Sequence, residues 1–307
     1  MLSEVKPSPY AALITKEMKE AVLEVLNSGH YTRGMQNRQF EREFAECCGT
    51  RYAVAVSSGS AALHLALLAC KIGAGDEVIT CPNSVTTAAD MIMNVGARPV
   101  FVEPDEEIFT IDPERIEEKI SSKTKAILLI HMYGHPAEMD AIMEIAQKHG
   151  LIVIEDGAHA TGASYKGKKV GSTHENNITC FSFMNKCMTV CGDGGMAVTS
   201  NEELSNSMKL HRYLGQDEVF TWQERIYLSK VIGFNYRMSE IAAAVGRIML
   251  KKLPELNENR RRVAAVYADV LKGVSDLSLP AEKPWAYSTY LWYVVRTKDS
   301  KKNDALR

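Results

Sequence analysis

Short apolar, β-branched runs alternate with amphipathic stretches of helical period from about residue 50 to residue 250. This alternation predicts an α/β fold in three layers, a mostly parallel sheet with helices on both faces. Two details strengthen it. Lys125-AILLI-His131 is a continuous apolar run, as a strand buried on both faces requires. LIVIE at 151–155 begins directly after Gly150, where the helical pattern of residues 137–149 stops.

The elements follow in order. Val54-Ala-Val56 reads as a strand that ends in the polar cluster Ser57-Ser-Gly-Ser60, and AALHLALLACKIG reads as a helix ended by Gly73. Glu77 to Thr80 is a strand, residues 84–95 a helix, and Arg98 to Glu103 another strand. ITCFSF at 178–183 and GMAVTS at 195–200 are two more strands. Ser239 to Leu250 and Leu256 to Leu271 read as two long helices divided by Pro254. A strand over Thr289-YLWYVVR follows Pro284, and the closing SKKNDALR opens a helix with nothing after it. The pattern therefore divides into residues 1–250, a large domain with an N-terminal arm, and residues 251–307, the start of a smaller, truncated α+β C-terminal domain. Ligands of such sheets sit beyond the carboxyl ends of the strands.

Composition excludes several classes. With 46% hydrophobic and 24% charged residues the chain is neither disordered nor fibrous, and no apolar run reaches the length of a membrane span. The N-terminus lacks the apolar core of an export signal. Lys plus Arg number 36 against 38 acids, so no global field favours nucleic acid or a membrane surface. Seven cysteines, at 47, 48, 70, 81, 180, 187 and 191, are an odd number in a long chain. They read as reduced thiols of a cytoplasmic protein, without the spacing of a zinc site.

The chemistry-bearing residues fall at strand ends. Ser57-Ser-Gly-Ser-Ala61 lies where a strand turns into a helix, so it either caps that helix through Ser58 or Ser60 or offers N–H groups to an anion. Asp156 ends LIVIE and precedes Gly-Ala-His159. Lys186 follows the apolar run ITCFSF, where an unpaired amine is costly to bury. Taken singly, each is ordinary: a cap, a core histidine, a lysine that snorkels to water. Together they form an inventory for pyridoxal 5'-phosphate (PLP). The phosphate needs N–H donors at a helix start, the pyridine nitrogen a carboxylate, and the aldehyde an amine for a Schiff base.

At this point the chain resembles the DegT/DnrJ/EryC1/StrS family, the sugar aminotransferases among fold-type I PLP enzymes. The resemblance rests on SSGSAALHLALLACKIGAGDEVI at 57–79, IEDGAHATGASYKGKKVGS at 154–172, FSFMNKCMTVCGDGGMAVTSNEEL at 181–204 and GFNYRMSEIAAAVG at 233–246, with further matches between them. It implies that Lys186 forms the Schiff base, Asp156 pairs with the pyridine nitrogen, and His159 approaches the cofactor's phenolic oxygen. It implies further that Gly59, Ser60 and Ala61 surround the phosphate, Ser60 and Ala61 through their N–H groups, and that Ser182 adds a hydroxyl. Asn235 would reach the phosphate of a neighbouring subunit, since family members share each site across a homodimer. Tyr31, Arg212 and Tyr213 fall in regions that border the substrate. That substrate would be a keto sugar attached to a nucleotide, with glutamate as amino donor.

The chain departs from the family pattern in three ways. SFMNK puts three residues between Ser182 and Lys186 where the family usually has four. NSVTTAAD at 83–90 lacks the aromatic that usually stacks on the ring, leaving Val85 or Thr86 in its place. The segment that normally completes the small domain is missing. One family branch replaces the lysine with histidine and dehydrates its sugar; here Lys186 is kept and His174 lies before the strand, so transamination is expected. The alternatives are a relative acting on a cyclic polyol or aminobenzoate precursor, and a PLP-binding regulator without turnover.

Overall fold

The computed structural model describes residues 13–174, 177–184, 186–190, 192–216 and 229–297. Helices α1 (Lys16–Ser28) and α2 (Met35–Cys48) lead into β1 (Tyr52–Val56) and α3 (Gly59–Ala69). Next come β2 (Glu77–Thr80), α4 (Thr87–Asn94), β3 (Arg98–Phe101), β4 (Thr124–Ile130), α5 (Met139–His149) and β5 (Ile152–Asp156). The short β6 (Ser164–Tyr165) and β7 (Lys168–Lys169) precede β8 (Ile178–Ser182), β9 (Gly195–Thr199) and α6 (Glu202–Arg212). The long α7 (Glu240–Leu271) and the short β10 (Leu277–Ser278), β11 (Ala286–Tyr287) and β12 (Arg296–Thr297) complete the order.

Seven strands form the central sheet in the order β1-β9-β8-β5-β4-β2-β3. The pairs β2–β3, β2–β4, β4–β5 and β5–β8 are parallel, and only β9 runs against its neighbours. The carboxyl ends of β1, β4, β5 and β8 therefore share one edge, which is where the site lies. Pleating sorts each strand's side chains between two cores. Val54 and Val56 join the core under α3, whereas Ala53 and Ala55 join the core under α2 and α7. Phe181 and Phe183 pack with Phe40 and Phe44, ring centroids 5.2–5.8 Å apart, and this turns Ser182 between them to the other side.

Glu240 ties the N-terminal helices to this frame. Its buried carboxylate accepts the N–H groups of Gln36, at 2.8 Å, and Asn37, at 3.3 Å, and so caps α2. Gly246 lets α2 and α7 approach, since a Cβ there would lie 2.7 Å from Phe40 Cζ.

Two expectations are corrected. Pro254 does not divide α7, which runs unbroken from Glu240 to Leu271. The proline is exposed, where solvent can take up the carbonyl released four residues back. The helix also passes through residue 250, the expected border between domains. A strand over residues 289–296 does not form; only Arg296–Thr297 pairs, with β10. Thr289 N–H is spent on Gly134 O, and Tyr290 takes a left-handed φ of 46° that no strand accommodates. The other elements stand where expected, within a few residues at their ends, except that the closing SKKNDALR lies outside the described residues. No helix among the described residues is long and apolar enough to cross a membrane.

Gly246→Ala sets two effects against each other. Alanine in a helix interior gains about 1 kcal/mol over glycine, while forcing the Phe40 ring aside costs about 1–3 kcal/mol. The clash should win, with a net loss of about 1 kcal/mol in urea unfolding; a gain in stability would show that α2 and α7 are not locked at this contact.

Candidate active site

The strand ends open onto one cavity. Ser58, Gly59, Ser60 and Leu63 line it from the start of α3, with Ser84, Val85 and Thr87 near the start of α4. Asp156, Ala158 and His159 follow β5, and Ser182, Met184 and Lys186 follow or end β8. The α3 start is built for an anion. Ser58 is the extended N-cap, and its Oγ accepts the Ala61 N–H at 3.1 Å. Ala61 thus has no N–H to spare, while those of Gly59 and Ser60 make no hydrogen bond among the described residues. Gly59 cannot be larger, because a Cβ there would lie 2.7 Å from Ser182 Cβ. This contact brings the Ser182 side chain directly onto the helix start.

Asp156 ends β5 almost wholly buried. Its Oδ1 accepts the Ala158 N–H at 2.9 Å, and Oδ2 makes no hydrogen bond among the described residues. Burial pushes its pKa up, opposed by that N–H and by Lys186. Lys186 Nζ lies 3.2 Å from His159 Nε2 and 4.9 Å from the ring centre of Trp292. Burial pulls its pKa down against the attraction of Asp156, so a larger fraction of the amine is neutral than in water.

His159 is pushed down to about 4 by burial and by the neighbouring Lys186, so the ring is neutral at pH 7. Its Nδ1 accepts the Tyr133 N–H at 3.4 Å, which assigns the ring proton to Nε2, facing the lysine. The His159 carbonyl is held by Cys187 Sγ and Thr289 Oγ1, each at 3.1 Å. Trp292 packs edge-on against the imidazole, centroids 4.7 Å apart, and the Tyr133 ring lies parallel to it at 6.4 Å.

The short spacing from Ser182 to Lys186 still brings both side chains to the cavity, although Asn185 lies outside the described residues. Val85 lines the cavity where the sequence offers no aromatic. Tyr133 and Trp292 pack against His159 behind the cavity wall, and sequence reasoning missed both. Trp292 was assigned to a strand, and Tyr133 sits in a turn that only its left-handed φ of 56° makes distinctive.

The remaining candidates do not line this cavity within one chain. Arg212 is buried, its guanidinium bonded to Glu41 and, at 2.8 Å, to Ala55 O. It lines a separate pocket with Tyr213, Arg33 and Arg237. Tyr213 OH accepts from Arg33 at 2.7 Å, and its ring carries the Arg33 and Arg237 guanidiniums at 4.3 and 4.8 Å. Asn235 is exposed and bridges to Tyr213. Tyr31 is half exposed, its carbonyl accepting the Glu240 N–H. His174 stands 3.9 Å from Asp140 and does not line the cavity.

A buried carboxylate, an amine at its partner strand's end and an anion-binding helix start on a mostly parallel sheet define the large-domain fold and site of the PLP-dependent transferases. Comparison with known proteins gives the same class. The model of the DegT/DnrJ/EryC1/StrS aminotransferase family matches residues 12–307. The erythromycin biosynthesis sensory transduction protein EryC1 of Saccharopolyspora erythraea is 39% identical over 287 residues, 93% of this chain and 76% of that protein. The dTDP-3-amino-3,4,6-trideoxy-alpha-D-glucose transaminase of Streptomyces venezuelae is 38% identical over 292 residues, 95% of this chain and 74% of its own. Among solved structures, S. venezuelae DesV in complex with a ketimine intermediate superposes with a TM-score of 0.90 at 38% identity, covering 97% of this chain and 79% of DesV. NtdA from Bacillus subtilis, with bound cofactor PMP, gives a TM-score of 0.85 at 31% identity, covering 100% of this chain and 69% of NtdA. The chain belongs to the DegT/DnrJ/EryC1/StrS aminotransferase family.

Burial also predicts a pH dependence of stability. His159 and the buried His135 are both held near 4, His135 chiefly by burial, against about 6.5 in an unfolded chain. As pH falls from about 6.5 to about 4, the unfolded chain binds protons that the folded one refuses, so stability declines through that window and is retained above it. The loss should reach up to about 3 kcal/mol per histidine in urea unfolding, and His159→Gln should flatten the slope. A profile as steep in that variant as in the parent would contradict the burial account.

Proposed function

We propose that this PLP-dependent sugar aminotransferase moves an amino group from an amino acid, glutamate, to a nucleotide-linked keto sugar. The observation that carries this reading is the shared cavity of Lys186, His159, Asp156 and the open helix start of α3. Its residues fit the cofactor on geometry alone. Gly59 and Ser60 leave N–H groups for a phosphate, Ser182 packs on the same turn, and Asp156 keeps an oxygen for a protonated ring nitrogen. When bound, the cofactor supplies an electrophilic aldehyde carbon and a ring that draws electrons from the bond broken at the amino carbon.

The chain's residues divide the remaining work. Asp156 would hold a proton in the cavity through Oδ2. Lys186, whose pKa burial lowers, would hold the group at its aldehyde end and would take and return a proton at Nζ. His159 offers its Nε2–H to an oxygen placed beside the lysine. The apolar wall of Leu63, Ile130 and Cys180 excludes water from these groups.

The wider reading carries over the family's assembly. We propose a homodimer in which Asn235 reaches the neighbour's phosphate, and in which Tyr31 and Tyr213 border the neighbour's substrate. Exposure of Asn235 and Tyr31 beside the first turn of α7 supports this. Arg212 would serve that face indirectly, by joining α6 to α2 and β1. Residues 251–307 would open the smaller domain. A cytoplasmic setting is supported by the free Cys47, Cys48, Cys70, Cys81, Cys180 and Cys187.

A visible spectrum tests the reading. Added PLP should produce an absorption band that bleaches with excess glutamate, and Lys186→Ala should lose the band while staying folded. Keto-sugar nucleotides should then restore the band, and cyclic polyol precursors should not. A protein that takes up no PLP would contradict the proposal. A band that glutamate leaves unchanged would remove glutamate as the donor.

A further inference from the structure

Asp156 has a neighbour on β5 that the proposed chemistry does not use. Glu155 is completely buried, and its Oε2 lies 2.8 Å from Nε2 of His131, which is equally buried. The Ala137 N–H donates to His131 Nδ1 at 3.0 Å. Nδ1 therefore carries no proton, and the imidazole donates from Nε2 to the carboxylate. Asn177 Nδ2, at 2.9 Å, and Thr173 Oγ1, at 3.3 Å, donate to Oε1 of the same carboxylate. Both oxygens of this buried carboxylate are thus held by hydrogen bonds. Such an arrangement is costly, and its geometry points to what it secures.

It secures a turn. His131 directly follows β4, where its backbone N–H donates to Asp156 O at 3.0 Å, and Ala137 precedes α5. The His131 ring thus ties one end of the 131–137 segment to the other and to β5. Within the segment Tyr133 takes φ 56° and ψ 9°, and Gly134 takes φ 101°. A tyrosine holds a left-handed conformation only where its surroundings enforce it. Gly134 O accepts the Thr289 N–H at 3.0 Å, which fixes the outer side of the turn. The result is a Tyr133 N–H presented to His159 Nδ1.

We propose that Glu155 and His131 are positioning residues that set the tautomer of His159: by locking the 131–137 turn they hold the Tyr133 N–H on Nδ1, so that Nε2 keeps its proton facing Lys186. This rests on the reading of the Lys186 cavity as the active site. The consequence for that site is a change of sign. With the proton on Nε2 the imidazole is a hydrogen-bond donor to an oxygen bound beside the lysine, and with the proton on Nδ1 it would be an acceptor there and repel that oxygen. The low proton affinity that burial gives His159 supports the arrangement, because the ring must choose between two neutral forms.

The test is made on the protein without cofactor. Nitrogen NMR of histidine-labelled protein at neutral pH, with His159 assigned by its loss in His159→Gln, should show a bare Nδ1 and a protonated Nε2. In His131→Gln and Glu155→Gln the two ring signals should move toward each other as the tautomers mix. The Tyr133 amide should exchange roughly tenfold faster, as one lost hydrogen bond implies. Tyr133→Gly keeps the amide and suits the positive φ, and should keep the parent tautomer. A parent His159 protonated on Nδ1 overturns the proposal without any variant having to fold. An unchanged tautomer in folded His131→Gln and Glu155→Gln overturns it too, as does loss of the tautomer in Tyr133→Gly. Failure of the spectral test with glutamate would bear on the proposed reaction alone.

Discussion

The site depends on a carboxylate that the sheet buries without fully bonding it. Asp156 is carried to the edge of the sheet by a strand whose other residues are apolar or locked in hydrogen bonds. One of its oxygens is satisfied by the Ala158 N–H, and the other faces the cavity with no partner of its own. Leaving it so in a protein interior is unfavourable, and the surrounding groups share the cost. Lys186 lowers it electrostatically, and a bound ligand with a protonated nitrogen would remove it.

The same burial acts on every titratable group of the cavity, and in one direction. It raises the acid and lowers both bases, so Asp156, Lys186 and His159 are all drawn toward their neutral forms. Catalysis by proton transfer needs groups whose neutral and charged forms lie close in energy, and desolvation brings these close. The anion at the other end is treated differently. The α3 start meets it with backbone N–H groups and the helix dipole, which need no change of protonation. The cavity thus separates a permanent electrostatic anchor from a set of groups free to exchange protons.

Much of this was legible before any coordinates, and for identifiable reasons. Strands buried on both faces write themselves as unbroken apolar runs, so β4, β5, β8 and β9 were readable, and so were the polar residues at their ends. Ser58 was one of two readable caps for α3. What failed depends on exposure and on distant contacts. A proline inside a helical pattern reads as a break, but Pro254 faces solvent and α7 continues past it. The run from Thr289 has the composition of a strand, yet its polar groups are committed to Gly134 and His159 across the fold. Tyr133 and Trp292 meet His159 only through tertiary packing, and their sequence neighbourhoods carry no sign of it. The Glu155–His131 pair was also invisible, since pleating hides it behind the residue that drew attention.

The central claim is that Lys186 is the residue that bonds the cofactor's aldehyde, although its approach from Ser182 is one residue short. Borohydride reduction after incubation with PLP, followed by peptide mapping, tests it most directly. The account predicts one stoichiometric adduct, on the peptide containing Lys186, formed ahead of any exposed lysine because burial lowers the pKa of its amine. An adduct spread over surface lysines, with Lys186 unmodified, would contradict it.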